Sequence, residues 1–70
     1  MKKFRIADVE RIEKMLDEGK TVGIEWEDGV TGELNTEIVK SVRWDGLVFT
    51  TGRCIYTGID KLKEIREEAV

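Results

Sequence analysis

The sequence predicts an α+β fold: one N-terminal helix, an antiparallel sheet of about five short strands, and a C-terminal helix. Three observations carry that expectation. Phe4, Ile6, Val9, Ile12 and Leu16 recur mostly at steps of three or four, the period of one helical face. After Gly19 the period switches to two, with Val22, Ile24 and Trp26 alternating against Gly23, Glu25 and Glu27. Asp28-Gly29 and Asp45-Gly46 then follow β-prone runs, a strong short-range hairpin signal.

In chain order, the helix is expected at about 8–18. Asp8 serves as its N-cap, Glu10 and Lys14 form an i,i+4 pair, and Gly19 ends it. Val22 to Glu27 forms the first strand. Asp28-Gly29 should make a type I′ turn, which needs positive φ at both positions. Val30 to Leu34 returns as the second strand, Asn35-Thr36 bends the chain, and Ile38 to Trp44 is the third. Asp45-Gly46 makes the second hairpin, Leu47 to Thr51 the fourth strand, and Cys54 to Thr57 a short fifth. The strands follow one another as a meander. In the last segment Ile59, Leu62, Ile65 and Ala69 fit a helical face, Asp60 suits a cap, and Lys, Glu, Arg and Ala are helix formers. The competing reading makes Leu62-Lys63-Glu64-Ile65 a closing strand; helix is the favoured one. A helix followed by about five short antiparallel strands is similar in element order and length to the small SH3-like and Sm-like barrels. No motif residue accompanies that similarity, so it implies a small barrel as an alternative to the meander and nothing about function.

Seventy residues make one small domain, and such a chain buries only about 60% of its unfolded surface. One cysteine permits no internal disulfide, and the absence of histidine removes zinc sites of the common Cys/His kind. Association, with itself or a partner, is the remaining way to supplement so small a core. No apolar run approaches the ~20 residues that span a bilayer, so no membrane role is expected. The basic start lacks an apolar stretch after it, and with the unpaired cysteine this points to the cytoplasm. Net charge is −3 and unevenly spread: residues 21–37 hold five acids and no base, while residues 38–57 carry Lys40, Arg43 and Arg53 against Asp45 alone. A broad phosphate-binding face would need cations concentrated on one side.

Catalysis through a histidine base, or through Ser-His and Cys-His pairs, is excluded by composition. Cys54 lies on a strand and is expected to behave as a small structural hydrophobe. Glu25 and Glu27 share a strand face about 7 Å apart with Asp28 at the turn, a spacing that can flank a hydrated cation. No regular ligand motif surrounds them, and a solvated outer face is the better reading. Neither Gly29-Val30-Thr31-Gly32 nor Thr50-Thr51-Gly52-Arg53 precedes a helix as a phosphate-cradling loop should. No metal, cofactor or enzymatic activity is therefore expected.

Both tryptophans of the chain, Trp26 and Trp44, stand two or fewer residues before an Asp-Gly pair. Trp26 shares the Val22/Ile24 face and Trp44 the Val42 face, as core residues would. The alternative sets one or both at the sheet edge as an interface anchor or stacking platform, extended by Tyr56 and Phe49. If one indole is core and one is surface, Trp44 with Arg43 is the pair expected to meet a partner. The leading expectation is a small non-enzymatic binding protein acting through protein contacts: a homo-oligomer, or a regulator or inhibitor of the compact acidic phage- or plasmid-type. The alternative is a nucleotide or single-stranded nucleic-acid binder in which Trp26 or Trp44 stacks on a base while Arg43, Arg53 and Lys40 meet phosphate.

Overall fold

The computed structural model describes residues 2–68, Lys2 by its backbone alone. The elements are β1 (Lys2–Lys3), α1 (Ile6–Asp17), β2 (Thr21–Glu27), β3 (Leu34–Arg43), β4 (Gly46–Phe49), β5 (Cys54–Tyr56) and β6 (Lys61–Glu68). The strands form one antiparallel sheet in the order β1-β6-β2-β3-β4-β5. The arrangement is α+β, a helix near the N-terminus and a small antiparallel sheet, but it departs from the fold expected from sequence in its C-terminal segment and its strand order.

Helix α1 begins earlier than expected, with Arg5 rather than Asp8 at the N-cap. Asp8 acts from inside the first turn, where its Oδ2 accepts the Arg5 N–H at 3.0 Å. The end is as the sequence suggests: Gly19, at φ +81°, donates its N–H to the Leu16 carbonyl (2.9 Å), and Lys20 donates to Met15 (3.1 Å). That pair of bonds is the Schellman pattern, which satisfies the last carbonyls of a helix. The buried face of α1, Val9 and Ile12 with half-buried Met15 and Leu16, packs against β2, β3 and β4.

The C-terminal helix is not formed. Residues 61–68 are strand β6, hydrogen-bonded along its length to β2 and at its start to β1. The pairing explains why the apolar spacing looked helical. Core residues Trp26 and Ile24 are two apart on β2, but their partners Leu62 and Ile65 are three apart on β6. Lys63 is the extra residue of a β-bulge, which turns a strand's period of two into a helix-like three. The strands are not a simple meander either, because β6 returns to pair with β2. Nor do they pair into a closed barrel: among the described residues β1 and β5 stand at the two ends of the order.

The expected second and third strands are a single one, β3, ten residues long. Its first half pairs with β2 and its second half with β4. Between them Val39 faces Phe49 and Ser41 faces Val48, so Lys40 is bulged out and the strand changes neighbours there. Asn35-Thr36 is therefore no bend. The first half of β3 disguised itself by polarity: Asn35 and Glu37 lie opposite the core residues Trp26 and Ile24, while Leu34 is on the solvent side. Val30 to Glu33 belong to the preceding turn.

Neither Asp-Gly pair makes a type I′ turn. Among the described residues none other than glycine has positive φ, and Gly29 and Gly46 do not either; in the β2–β3 connection that conformation falls on Gly32 (φ +75°). Gly29 and Gly46 are required for a different reason. A Cβ on Gly29 would collide with the Ile59 carbonyl oxygen, and one on Gly46 with the Ile55 carbonyl oxygen. Both glycines admit close backbone approach.

The core gathers Phe4, Val9, Ile12, Val22, Ile24, Trp26, Val39, Leu47, Phe49, Ile55 and Leu62. The opposite sheet face is solvated and mixed in charge, with Glu25 held by Lys63 at 3.1 Å. One apolar and one polar face is the ordinary arrangement for an antiparallel sheet. No helix of the described residues is long and apolar enough to cross a membrane.

Candidate functional site

The two Trp-containing segments take opposite parts. Trp26 is 2% exposed and stacks on Phe49, with ring centroids 5.9 Å apart. Arg53 lies across it, its Cζ 5.1 Å from the ring centroid, and reaches Asn35 Oδ1 from Nη1 at 3.3 Å. Next to this, Thr51 Oγ1 donates to Glu37 Oε1 at 2.5 Å. Asn35, Glu37, Thr51 and Arg53 thus form a polar roof over the open end of the core. Beneath it Trp26 Nε1 and Glu37 Oε2 are buried without a protein hydrogen-bond partner. Such groups usually hold a water. Arg53 and Trp26 are consequently engaged with each other.

Trp44 is 83% exposed. It occupies the two-residue β3–β4 turn, between Arg43 and Gly46, which pair across it. The turn is held from outside, because Thr57 donates its N–H to the Asp45 carbonyl at 2.9 Å. Gly46 lies directly between Arg43 on β3 and Tyr56 on β5 in the strand register. Residues in register share a sheet face, so Arg43 and Tyr56 flank a position that carries no side chain. Asp45 Oδ1 sits 3.7 Å from Arg43 Nε, an electrostatic contact too long for a hydrogen bond. The arrangement leaves one exposed indole, a half-exposed guanidinium and a phenol 36% exposed on one end of the sheet.

The β5–β6 connection joins this end to the first Asp-Gly turn. Asp60, buried, accepts the Gly29 N–H on Oδ1 (3.0 Å) and the Tyr56 N–H on Oδ2 (2.9 Å), while its carbonyl accepts from Phe4 N–H (3.3 Å). One carboxylate therefore ties the β2–β3 turn, the end of β5 and the entry to α1. Beside it stand Ile59 and Val30, 57% and 86% exposed. Both were missed as surface residues in the sequence: Ile59 was read as part of a helical face and Val30 as a strand residue. The only available signal was the Thr57-Gly58-Ile59-Asp60 turn chemistry between apolar runs.

The acidic residues divide further. Glu25 is paired with Lys63 on the solvated sheet face, and Glu27 lies beyond it on the same face. Asp28 organises its own turn, its Oδ1 accepting the N–H groups of Val30 (2.7 Å) and Thr31 (3.0 Å). The Thr31 and Val30 N–H groups hold its carboxyl below the usual aspartate range, with Arg53 adding a smaller pull in the same direction. Among the described residues no three His, Cys, Asp or Glu side chains converge as metal ligands do. Cys54 is half-buried, with Gly52 O 3.9 Å from its sulfur.

Of the eight residues singled out in the sequence, Arg43, Trp44 and Tyr56 come together. Trp26 and Arg53 form a separate packed unit, Asp28 lies on the neighbouring turn within range of the Arg53 charge, and Glu25 and Glu27 stay on the solvated sheet face. No family model, curated protein or solved structure matches the chain.

Proposed function

We propose that the chain is a non-enzymatic binding protein that engages a protein partner through the end carrying Trp44, Arg43, Tyr56 and Ile59. The observation that supports this is the exposure of Trp44 on a turn whose backbone is fixed from both sides. A large indole held outward on rigid backbone loses little conformational entropy on docking, and tryptophan leads the residues that anchor interfaces. Tyr56 and Ile59 extend the apolar area, and the Asp28 carboxylate of the neighbouring turn supplies a charged border. The fitting partner offers an apolar recess for the indole with cations at its rim. Capture with wild-type chain and with Trp44→Ala, compared by quantitative mass spectrometry, tests this. A protein retained by the first and lost from the second supports the reading; an unchanged set of captured proteins rejects it.

The adjacency of Arg43 and Trp44 also favours a second reading, stacking of the indole on a nucleobase with the guanidinium on phosphate. It has lost two of its expected contributors, since Trp26 is packed in the core and Arg53 covers it. Titration with oligonucleotides at low salt, followed by indole fluorescence, separates the two readings. Phosphate contacts strengthen as salt falls, so a flat response removes the nucleic-acid alternative.

A further inference from the structure

We infer that the free edge of β6 pairs two copies of this chain about a two-fold axis at Ile65, independently of the Trp44 surface. On one side β6 is bonded to β2 along its whole length, but on the other β1 covers only Lys61 and Leu62. Among the described elements only β1 and β2 lie alongside β6. Among the described residues, Lys63 to Glu68 therefore have no strand partner on that side and form a template for another strand. The other edge strand, β5, is tied off: Asp60 takes the Tyr56 N–H, and the Tyr56 carbonyl accepts from Ile59 (3.3 Å) and Asp60 (3.2 Å).

The sequence of β6 selects the occupant. An antiparallel pair of identical strands centres on one residue, which faces its own copy. Centred on Ile65, the ladder sets Ile65 against Ile65, Glu64 against Arg66, Arg66 against Glu64, and Lys63 against Glu67 of the second copy. Every charged pair is of opposite sign. Centred on Glu64 the ladder opposes two glutamates; centred on Arg66 it opposes two arginines and sets Glu64 against Glu68. Directly opposed like charges are destabilising and opposite ones stabilising, so only the Ile65 register is favoured. Ile65 is half-buried against the core and lies on the inner face, where its copy would extend the apolar surface. Arg66 is free to turn to the second copy, because its in-strand contact to Glu68 is a loose 3.8 Å. Lys63 already meets Glu25, so Glu64 and Arg66 carry the selection.

An edge this short makes an interface below the standard ~1,200–2,000 Å² class, so self-association is expected to be weak and concentration-dependent. Sedimentation equilibrium from about 1 µM to about 1 mM reads it directly. Glu64→Arg and Arg66→Glu each place like charges opposite one another twice per dimer and should weaken association roughly tenfold or more. An equimolar mixture of the two variants restores opposite pairs, as does the double swap, and both should associate like wild type. Concentration-dependent protection of β6 amides from hydrogen exchange in the wild type gives a readout that needs no variant. A wild type that stays monomeric to about 1 mM overturns the inference. So do single variants that associate as wild type does, or folded variants whose mixture does not recover.

Discussion

At the scale of single residues, Asp60 holds more of the molecule together than any motif in the chain. It satisfies two backbone N–H groups from segments 31 and 4 residues away. Asp60→Ala leaves both donors unpaired in a partly buried setting and should lower unfolding free energy by about 2–4 kcal/mol, whereas Asp60→Asn keeps an acceptor for only one of the two and turns its own NH2 toward the other, so it should recover no more than half of that loss. Urea denaturation of the two variants checks the order. Asp28 makes a separate expectation about acid. Its folded pKa is depressed, so its contribution is fully present above the ordinary value of 3.8 and is lost as pH falls through the lower folded value. The order of the β2–β3 turn, followed by NMR shifts of Val30 and Thr31, should therefore decline only below about pH 4, and in Asp28→Asn that acid step should be absent. The sequence identified the right aspartates and glycines but assigned them the wrong work. Gly29 and Gly46 resemble hairpin glycines by dipeptide, and only the distant carbonyls of Ile59 and Ile55 reveal that they are there for clearance.

At the scale of elements, α1 and the alternating β2 were legible because their apolar periods are unbroken. The two strands that were misread, β3 and β6, are the two that carry bulges at Lys40 and Lys63. A bulge displaces core-facing positions from spacing two to spacing three, and on β6 this coincides with residues of high helix propensity. Pairing with β2 on one side and burial of Leu62 override that local preference. Leu62→Ala should cost about 2–5 kcal/mol, as for other buried leucines. Helix and edge strand differ further in amide exchange. In dilute protein, protection along 64–68 should alternate, slow where the N–H meets β2 and fast where it faces the open edge. A helix would protect consecutive amides.

At the scale of the whole molecule, the chain joins its first and last strands to the centre of the sheet, since β6 lies between β1 and β2. No hairpin or helix closes the core alone, so unfolding should be all-or-none, with Trp26 fluorescence and far-ultraviolet dichroism giving the same midpoint. A chain of 70 residues has roughly 4–10 kcal/mol of stability, and the association proposed through β6 would add to it by mass action. The expectation that a small core calls for association was drawn from size alone. Two distinct places are proposed for it, the exposed Trp44 end and the open β6 edge. Trp44, Arg43 and Tyr56 were legible in the sequence as one candidate surface, but Ile59 was not, because its connection resembles a helix, and neither was the β6 edge, because that strand resembles one too.

The two tryptophans divide the labour, one closed under Arg53 and one held out on a turn. Acrylamide quenching of the single-indole variants Trp26→Phe and Trp44→Phe measures that division most directly. The indole left in Trp26→Phe, which is Trp44, should quench almost as readily as free tryptophan. The indole left in Trp44→Phe, which is Trp26, should be strongly shielded and become accessible only on unfolding or, in part, when Arg53→Ala is added. Equal shielding of the two, or a protected Trp44 in dilute monomer, would contradict it.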